Sequence, residues 1–170
     1  MCKNIISKKV HDFLLNHIAY IEREKDMLIK QYYSEETQEC INFEDFFKNY
    51  KSTIVNFLDN STIDKNGITT CPFVLVDSIV DVYDLEDMES YSYNIVLPYK
   101  KQDESNVDSA SCLSPLGKAL LFKKINEKAQ ISIPTGVLHY RIEKISFSQK
   151  DEENNITPLK AFTLQMNSLS

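Results

Sequence analysis

Glycine is scarce, with 3 in 170 residues, beside 5 prolines and no tryptophan. That scarcity excludes collagen-like, linker-like and low-complexity chains, and it leaves too little glycine for a phosphate-cradling loop. No apolar run approaches the roughly 20 residues that cross a bilayer. The basic start, MCKNIISKKVHDF, is followed by no uninterrupted apolar core and no small-residue cleavage site, so no secretory signal is expected. Cys2, Cys40, Cys71 and Cys112 are unpaired in sequence. Zinc sites draw on closely spaced pairs, so neither a zinc site nor a disulfide framework is implied, and a cytoplasmic address is expected. Cys112 lies among apolar residues and reads as a small buried hydrophobe. No serine or cysteine stands in a nucleophile elbow. His11 and His17 are six apart and do not form an i, i+4 ligand pair, while His139 has no Cys or His near it. Catalysis carried by this chain alone is not supported.

What is present is a folded-protein composition, 42% hydrophobic and 26% charged, with a net charge of -6. The charge is uneven. Residues 71–112 hold nine acids against Lys100 and Lys101, whereas residues 113–150 hold seven basic residues against Glu127 and Glu143. Such a dipolar body suits a charged protein partner better than a duplex, which asks for a continuous basic face, and no sequence-specific DNA binding is expected. Pairing of the two segments within one fold accounts for the same pattern.

The first third has helical period. Val10, Leu14, Ile18, Ile21, Leu28 and Tyr32 form one stripe, and Phe43, Phe47, Tyr50, Ile54, Phe57 and Leu58 a second. Asn42 is the expected N-cap of the second helix, with Asp45 in its first turn. The connection Ser34–Ile41 is short, so the helices are expected to run antiparallel, the first reaching roughly 40 Å and the second about 25 Å. Its tip is acidic, with Glu35, Glu36 and Glu39.

From Asn60 the pattern changes. Asn60-Ser61 and Asn66-Gly67 are turn chemistry. Phe73 to Val82 and Tyr91 to Leu97 read as strands around a loop at Asp84–Ser90, and Lys100 to Asp108 as a polar connection. Pro115 opens a short helix to about Lys123 with Leu116, Leu120 and Leu121 inward. Two more strands, Ala129–Ile133 and Val137–Phe147, flank Pro134-Thr135-Gly136. The expected class is α+β, with a helical hairpin arm at 1–60, a body at 61–148 and a tail at 149–170.

The stretch Ser111-Cys112-Leu113-Ser114-Pro115-Leu116-Gly117-Lys118-Ala119-Leu120-Leu121-Phe122-Lys123-Lys124, followed by Pro134-Thr135-Gly136 and Tyr140-Arg141-Ile142-Glu143-Lys144-Ile145, resembles the C-terminal domain of the bacterial Gre transcription elongation factors. The likeness runs from about Ile63 to Phe147. It implies an N-terminal antiparallel coiled coil and an FKBP-like C-terminal domain. It also implies docking on RNA polymerase at its secondary channel, with the arm entering and touching nascent RNA only indirectly. Leu113, Ser114, Pro115 and Leu116 are the implied polymerase contacts. Glu35, Glu36 and Glu39 are the implied tip acids, helping to position Mg²⁺ only within the polymerase complex, with no intrinsic cofactor or metal. The chain would be a monomer and not an enzyme, because the cleavage chemistry would be the polymerase's own.

Two departures matter. Leu113 stands where cleavage factors often carry Asp or Asn, as in the short-armed, polymerase-binding relative Rnk. The tip also lacks the D-x-x-E-N-A-E-Y order of cleavage factors. A Rnk-like or anti-cleavage competitor is therefore the alternative, with a non-polymerase adaptor using the hairpin or the 84–89 loop as another. A proline isomerase is the weakest reading, for want of an aromatic-lined pocket in the sequence.

Overall fold

The computed structural model describes residues 3–100 and 106–147. The expected tail, 149–170, lies outside the described residues. The chain divides into two compact units between Cys71 and Pro72.

The first unit opens with a strand, β1 (Asn4–Ile6), continues through helices α1 (Lys8–Tyr32) and α2 (Gln38–Asp59), and closes with β2 (Ser61–Ile63). Ser7 caps α1 by accepting from the Val10 amide at 3.2 Å. The helices run antiparallel: Tyr33 meets Phe43, Glu22 meets Lys51 at 2.6 Å, and His17 meets Tyr50. Their seam keeps Val10, Leu14 and Ile21 of the expected first stripe and Phe43, Phe47, Tyr50 and Ile54 of the second, all buried, and adds His17, whereas Ile18, Leu28, Phe57 and Leu58 are half-buried and Tyr32 is exposed. At about 1.5 Å per residue the helices are roughly 37 and 33 Å long, so the second exceeds the expected length. The reason lies at its start. Thr37, not Asn42, is the N-cap, accepting from the Cys40 amide at 3.3 Å, and Gln38–Ile41 are helical rather than loop.

β1 and β2 pair in parallel, Ile6 opposite Ile63, and Ile6 also bridges Ile68. Ser61, expected in a turn, begins a strand. Pairing to β1 assigns β2 to the helical unit, whereas the sequence-based division begins the body at 61. Asn66-Gly67 is the expected turn, with the Gly67 amide donating to the Asp64 carbonyl at 3.0 Å. A Cβ at Gly67 would stand 2.3 Å from the Ile6 carbonyl carbon, so glycine is required where this turn crosses β1.

The second unit is a five-stranded sheet of order β5-β4-β3-β7-β6 with one short helix. Its elements are β3 (Ser78–Asp84), β4 (Ser90–Val96), β5 (Asp108–Ser111), α3 (Pro115–Leu120), β6 (Lys128–Ile133) and β7 (Gly136–Phe147). Only the second half of the Phe73–Val82 run is strand. Phe73 to Val76 are buried loop, held by the Val74 amide on the Lys123 carbonyl and the Phe122 amide on the Val74 carbonyl. Asp77, at φ 70, turns the chain into β3.

Alternation puts Val80 and Val82 in the core. Their register partners Tyr93 and Tyr91 share that face, and there Tyr91, Tyr93 and the buried Tyr140 stack with ring centroids 6.2–6.4 Å apart. Burial raises the Tyr140 hydroxyl well above its ordinary value. β7 slips one residue against β3: Ile142 faces Val82 and Ile145 faces Val80, leaving Glu143 as the extra residue of a bulge. The outer face is polar. Ser92 donates to Asp81 at 2.6 Å, and the Arg141 guanidinium lies 5.2 Å from the Tyr83 ring centre while bonding Glu143.

Candidate functional site

The sequence points to two places, one in each unit. In the sheet unit, β4 and β5 run parallel with Val96 opposite Ser111, and the Cys112 amide donates to the Val96 carbonyl at 2.8 Å. The chain then turns into α3. Ser114 holds this turn from both sides. Its hydroxyl donates to the Ser111 carbonyl at 2.7 Å and accepts from the Gly117 amide at 3.0 Å, making Ser114 the N-cap of α3. The Ser111 hydroxyl accepts from the Leu113 amide at 3.2 Å. Pro115 follows at the first helical position, where its missing N–H costs no bond.

Leu113, Ser114, Pro115 and Leu116 thus lie on one turn. Pro115 is exposed and the other three are half-buried. Leu116, expected inward, is only partly so, while Gly117 and Leu120 are buried as the inner face of α3. Leu121 caps the helix instead of extending it, so α3 ends short of the expected Lys123. Cys112 is fully buried, as expected, and burial pushes its thiol up to about 12, so it carries no thiolate chemistry.

Sequence reasoning left open why a glycine follows Leu116. A Cβ there would sit 2.0 Å from the Ser111 carbonyl oxygen, the same atom that Ser114 holds. The turn is compact only because position 117 has no side chain. Of the three glycines in the chain, Gly67 and Gly117 mark close backbone approach, while Gly136 serves a positive φ of 146 with open space around it.

In the helical unit, Tyr33 to Thr37 connect α1 to α2, with the Tyr33 amide on the Ile29 carbonyl and the Thr37 amide on the Glu35 carbonyl, both at 3.0 Å. Glu35 and Glu36 stand in this loop. Glu39 is in the first turn of α2, where a negative charge complements the unsatisfied amides of the helix start. All three are exposed, as are Glu44 and Asp45 further along α2. Burial and then the carboxylates of Glu44 and Glu36 raise the Cys40 thiol above its ordinary value.

The acids do not converge. Among the described residues no three of His, Cys, Asp or Glu are placed to hold a metal ion together. The tip acids therefore do not amount to a metal site of their own. The histidines are packing and surface residues: His17 bonds Tyr50 in the hairpin seam, and His139 bonds Glu86 at 3.0 Å. Among the described residues no helix is long and apolar enough to cross a membrane.

Comparison with known proteins bears on the sheet unit. Residues 69–147 match the family model described as "Transcription elongation factor, GreA/GreB, C-term". The chain is 36% identical over 62 residues to transcription elongation factor GreA of Novosphingobium aromaticivorans, covering 36% of this chain and 38% of that protein. It is 33% identical over 90 residues to GreA of Chlorobium phaeovibrioides, covering 52% and 55%. With GreA of Alkaliphilus oremlandii it shares 37% over 89 residues, covering 49% and 51%. The chain thus spans about half, or less, of the length of these relatives. Among solved structures it is similar to a GreA/GreB elongation factor from Nitrosomonas europaea (TM-score 0.48, 22% identity, 85% of this chain and 100% of that one). It is also similar to Gfh1 of Thermus aquaticus (TM-score 0.41, 19% identity, 85% and 99%). The matched residues enclose β3 to β7, the Ser114 turn and the bulge of β7, so the chain's likeness to the GreA/GreB factors is that of their C-terminal domain.

Proposed function

We propose that this protein is a transcription elongation factor that binds RNA polymerase at its secondary channel and modulates elongation without being an enzyme itself. The family match over 69–147 carries the reading. A helical hairpin with an acidic connection, in front of that domain, is the second support. In this reading the turn Leu113–Leu116 grips the polymerase, and Glu35, Glu36 and Glu39 are presented near its reactive centre. Because the tip acids do not gather into a site, Mg²⁺ enters only inside the complex, shared with the partner's ligands. Any cutting of the transcript is the polymerase's own chemistry. The factor acts as a cytoplasmic monomer that contacts nascent RNA indirectly and reads no DNA sequence.

The testing experiment is retention of core polymerase subunits on the immobilised protein at low salt. Retention that weakens when Pro115 is replaced by Ala supports the reading. Recovery of no polymerase subunit overturns it. Once binding is established, a protein that blocks rather than stimulates transcript cleavage is a competitor for the channel.

A further inference from the structure

The turn at 113–116 is not alone at its end of the sheet. β4 and β5 are parallel, so the residues leaving β4 emerge beside those leaving β5. β3 is antiparallel to β4, which brings its entry to the same end: the Asp77 amide donates to the Ile95 carbonyl at 2.6 Å. Three loops therefore meet there, at Asp77, at Pro98–Lys100 and at Ser111–Leu116.

Two features of this end ask for a partner. Tyr99 is 52% exposed, yet its backbone sits at φ 64, a left-handed conformation that a bulky aromatic rarely takes. The chain holds an aromatic ring outward in a costly backbone state, which is a pattern of functional sites. Beside it, Lys100 reaches Asp77 at 3.8 Å with its side chain 44% exposed, while Asp77 is mostly covered. Lys118 is exposed one turn into α3. Strand direction thus brings Tyr99 and Lys100 to the same end of the sheet as the turn of Leu113, Pro115 and Leu116, with Lys118 following on α3, in a molecule whose net charge is -6.

Building on the polymerase-binding reading, we infer that Tyr99, Lys100 and Lys118 belong to the same docking surface as Leu113–Leu116, and that it takes an acidic protein surface whose carboxylates meet the two lysines around an apolar contact. A phosphate backbone is the poorer fit. Two lysines neutralise few phosphates, and half-buried leucines add nothing to a polyanion. An aromatic anchor with flanking charges is the composition of a protein interface.

The test uses the full chain and core RNA polymerase, with affinity measured at low and at moderate salt. Lys100→Glu and Lys118→Glu should each weaken binding about tenfold and flatten its salt dependence, because interface charges act through complementarity with the partner. Lys100→Arg and Lys118→Arg should bind as wild type. Tyr99→Ala should weaken binding while leaving the salt dependence unchanged. Wild-type binding with unaltered affinity in both charge reversals overturns the inference but leaves polymerase binding standing. Absence of wild-type binding overturns the reading beneath it. Displacement of the polymerase by a short single-stranded RNA at comparable concentration identifies the occupant as nucleic acid and contradicts the inference. Thermal melts of each variant, expected within a few degrees of wild type for exposed side chains, exclude misfolding as the cause.

Discussion

Gly117 and His17 show how single residues set the terms for everything larger. At Gly117 any side chain collides with a backbone carbonyl that cannot withdraw, because Ser114 and the start of α3 are bonded to it. Gly117→Ala should therefore destabilise the sheet unit by about 2 kcal/mol, the scale of overpacking a tight site. Urea unfolding measures this, and an unchanged midpoint would mean the turn relaxes freely. His17 is governed by desolvation. Buried in the hairpin seam and bonded to the Tyr50 hydroxyl at 2.7 Å, its imidazole titrates at about 4 in place of 6.5. Between those values the unfolded chain binds a proton that the folded chain refuses. Stability therefore falls as pH drops from 6.5 towards 4 and is fully present above that window, a loss of about 3 kcal/mol at the lower end. His17→Gln keeps a hydrogen-bonding partner for Tyr50 without titrating, so its stability should fall less over the same range in pH-dependent thermal melts. Identical pH slopes for the two proteins would show that His17 does not set this acid sensitivity.

At the scale of elements, what the sequence disclosed followed the strength of its periodicities. The hairpin stripes were legible because each helix buries one face against the other, and β3, β4, β6 and β7 because alternation survives where one sheet face is core. The α+β class follows from those two periods together. β1, β2 and β5 were not legible. They are three or four residues long, too short to show a period, and they exist through partners distant in sequence, Ile6 with Ile63 and Val96 with Ser111. The start of α2 was misplaced because Thr37 and Asn42 are both able caps, and only the fold decides between them. The Ser114 turn was visible as a motif, whereas the arrival of Tyr99 and Lys100 at the same end of the sheet was not, since it depends on strand direction.

The uneven spacing of Tyr140-x-Ile142-x-x-Ile145 has a physical cause. The step changes from two to three at the bulge of Glu143, which returns Ile145 to the face of Val80. Deleting Glu143 should leave Ile142 opposite Val82 and Ile145 opposite Val80 on an unbulged strand, with little change in stability, whereas deleting Glu143 and Lys144 together should turn the end of β7 over and cost about 2 kcal/mol as Ile145 leaves the core face. Equilibrium denaturation checks this, and a double deletion as stable as the single one would contradict this account of the register.

For the whole molecule, the two units divide the proposed work. The sheet unit offers a surface for gripping a partner, and the helical unit offers carboxylates for use inside it. The family match concerns the first of these, and among the described residues the acids of the second gather into no metal-holding group. Binding and the effect on the transcript should therefore be separable, each residing in its own unit. RNA cleavage in a stalled, backtracked polymerase complex tests this, comparing wild type with a variant in which Glu35, Glu36 and Glu39 are all replaced by Ala. Whichever effect on cleavage wild type has with Mg²⁺ present, stimulation or blocking, the triple variant is expected to lose it while binding the polymerase almost as tightly. A triple variant that keeps the wild-type effect on cleavage would contradict this division of work.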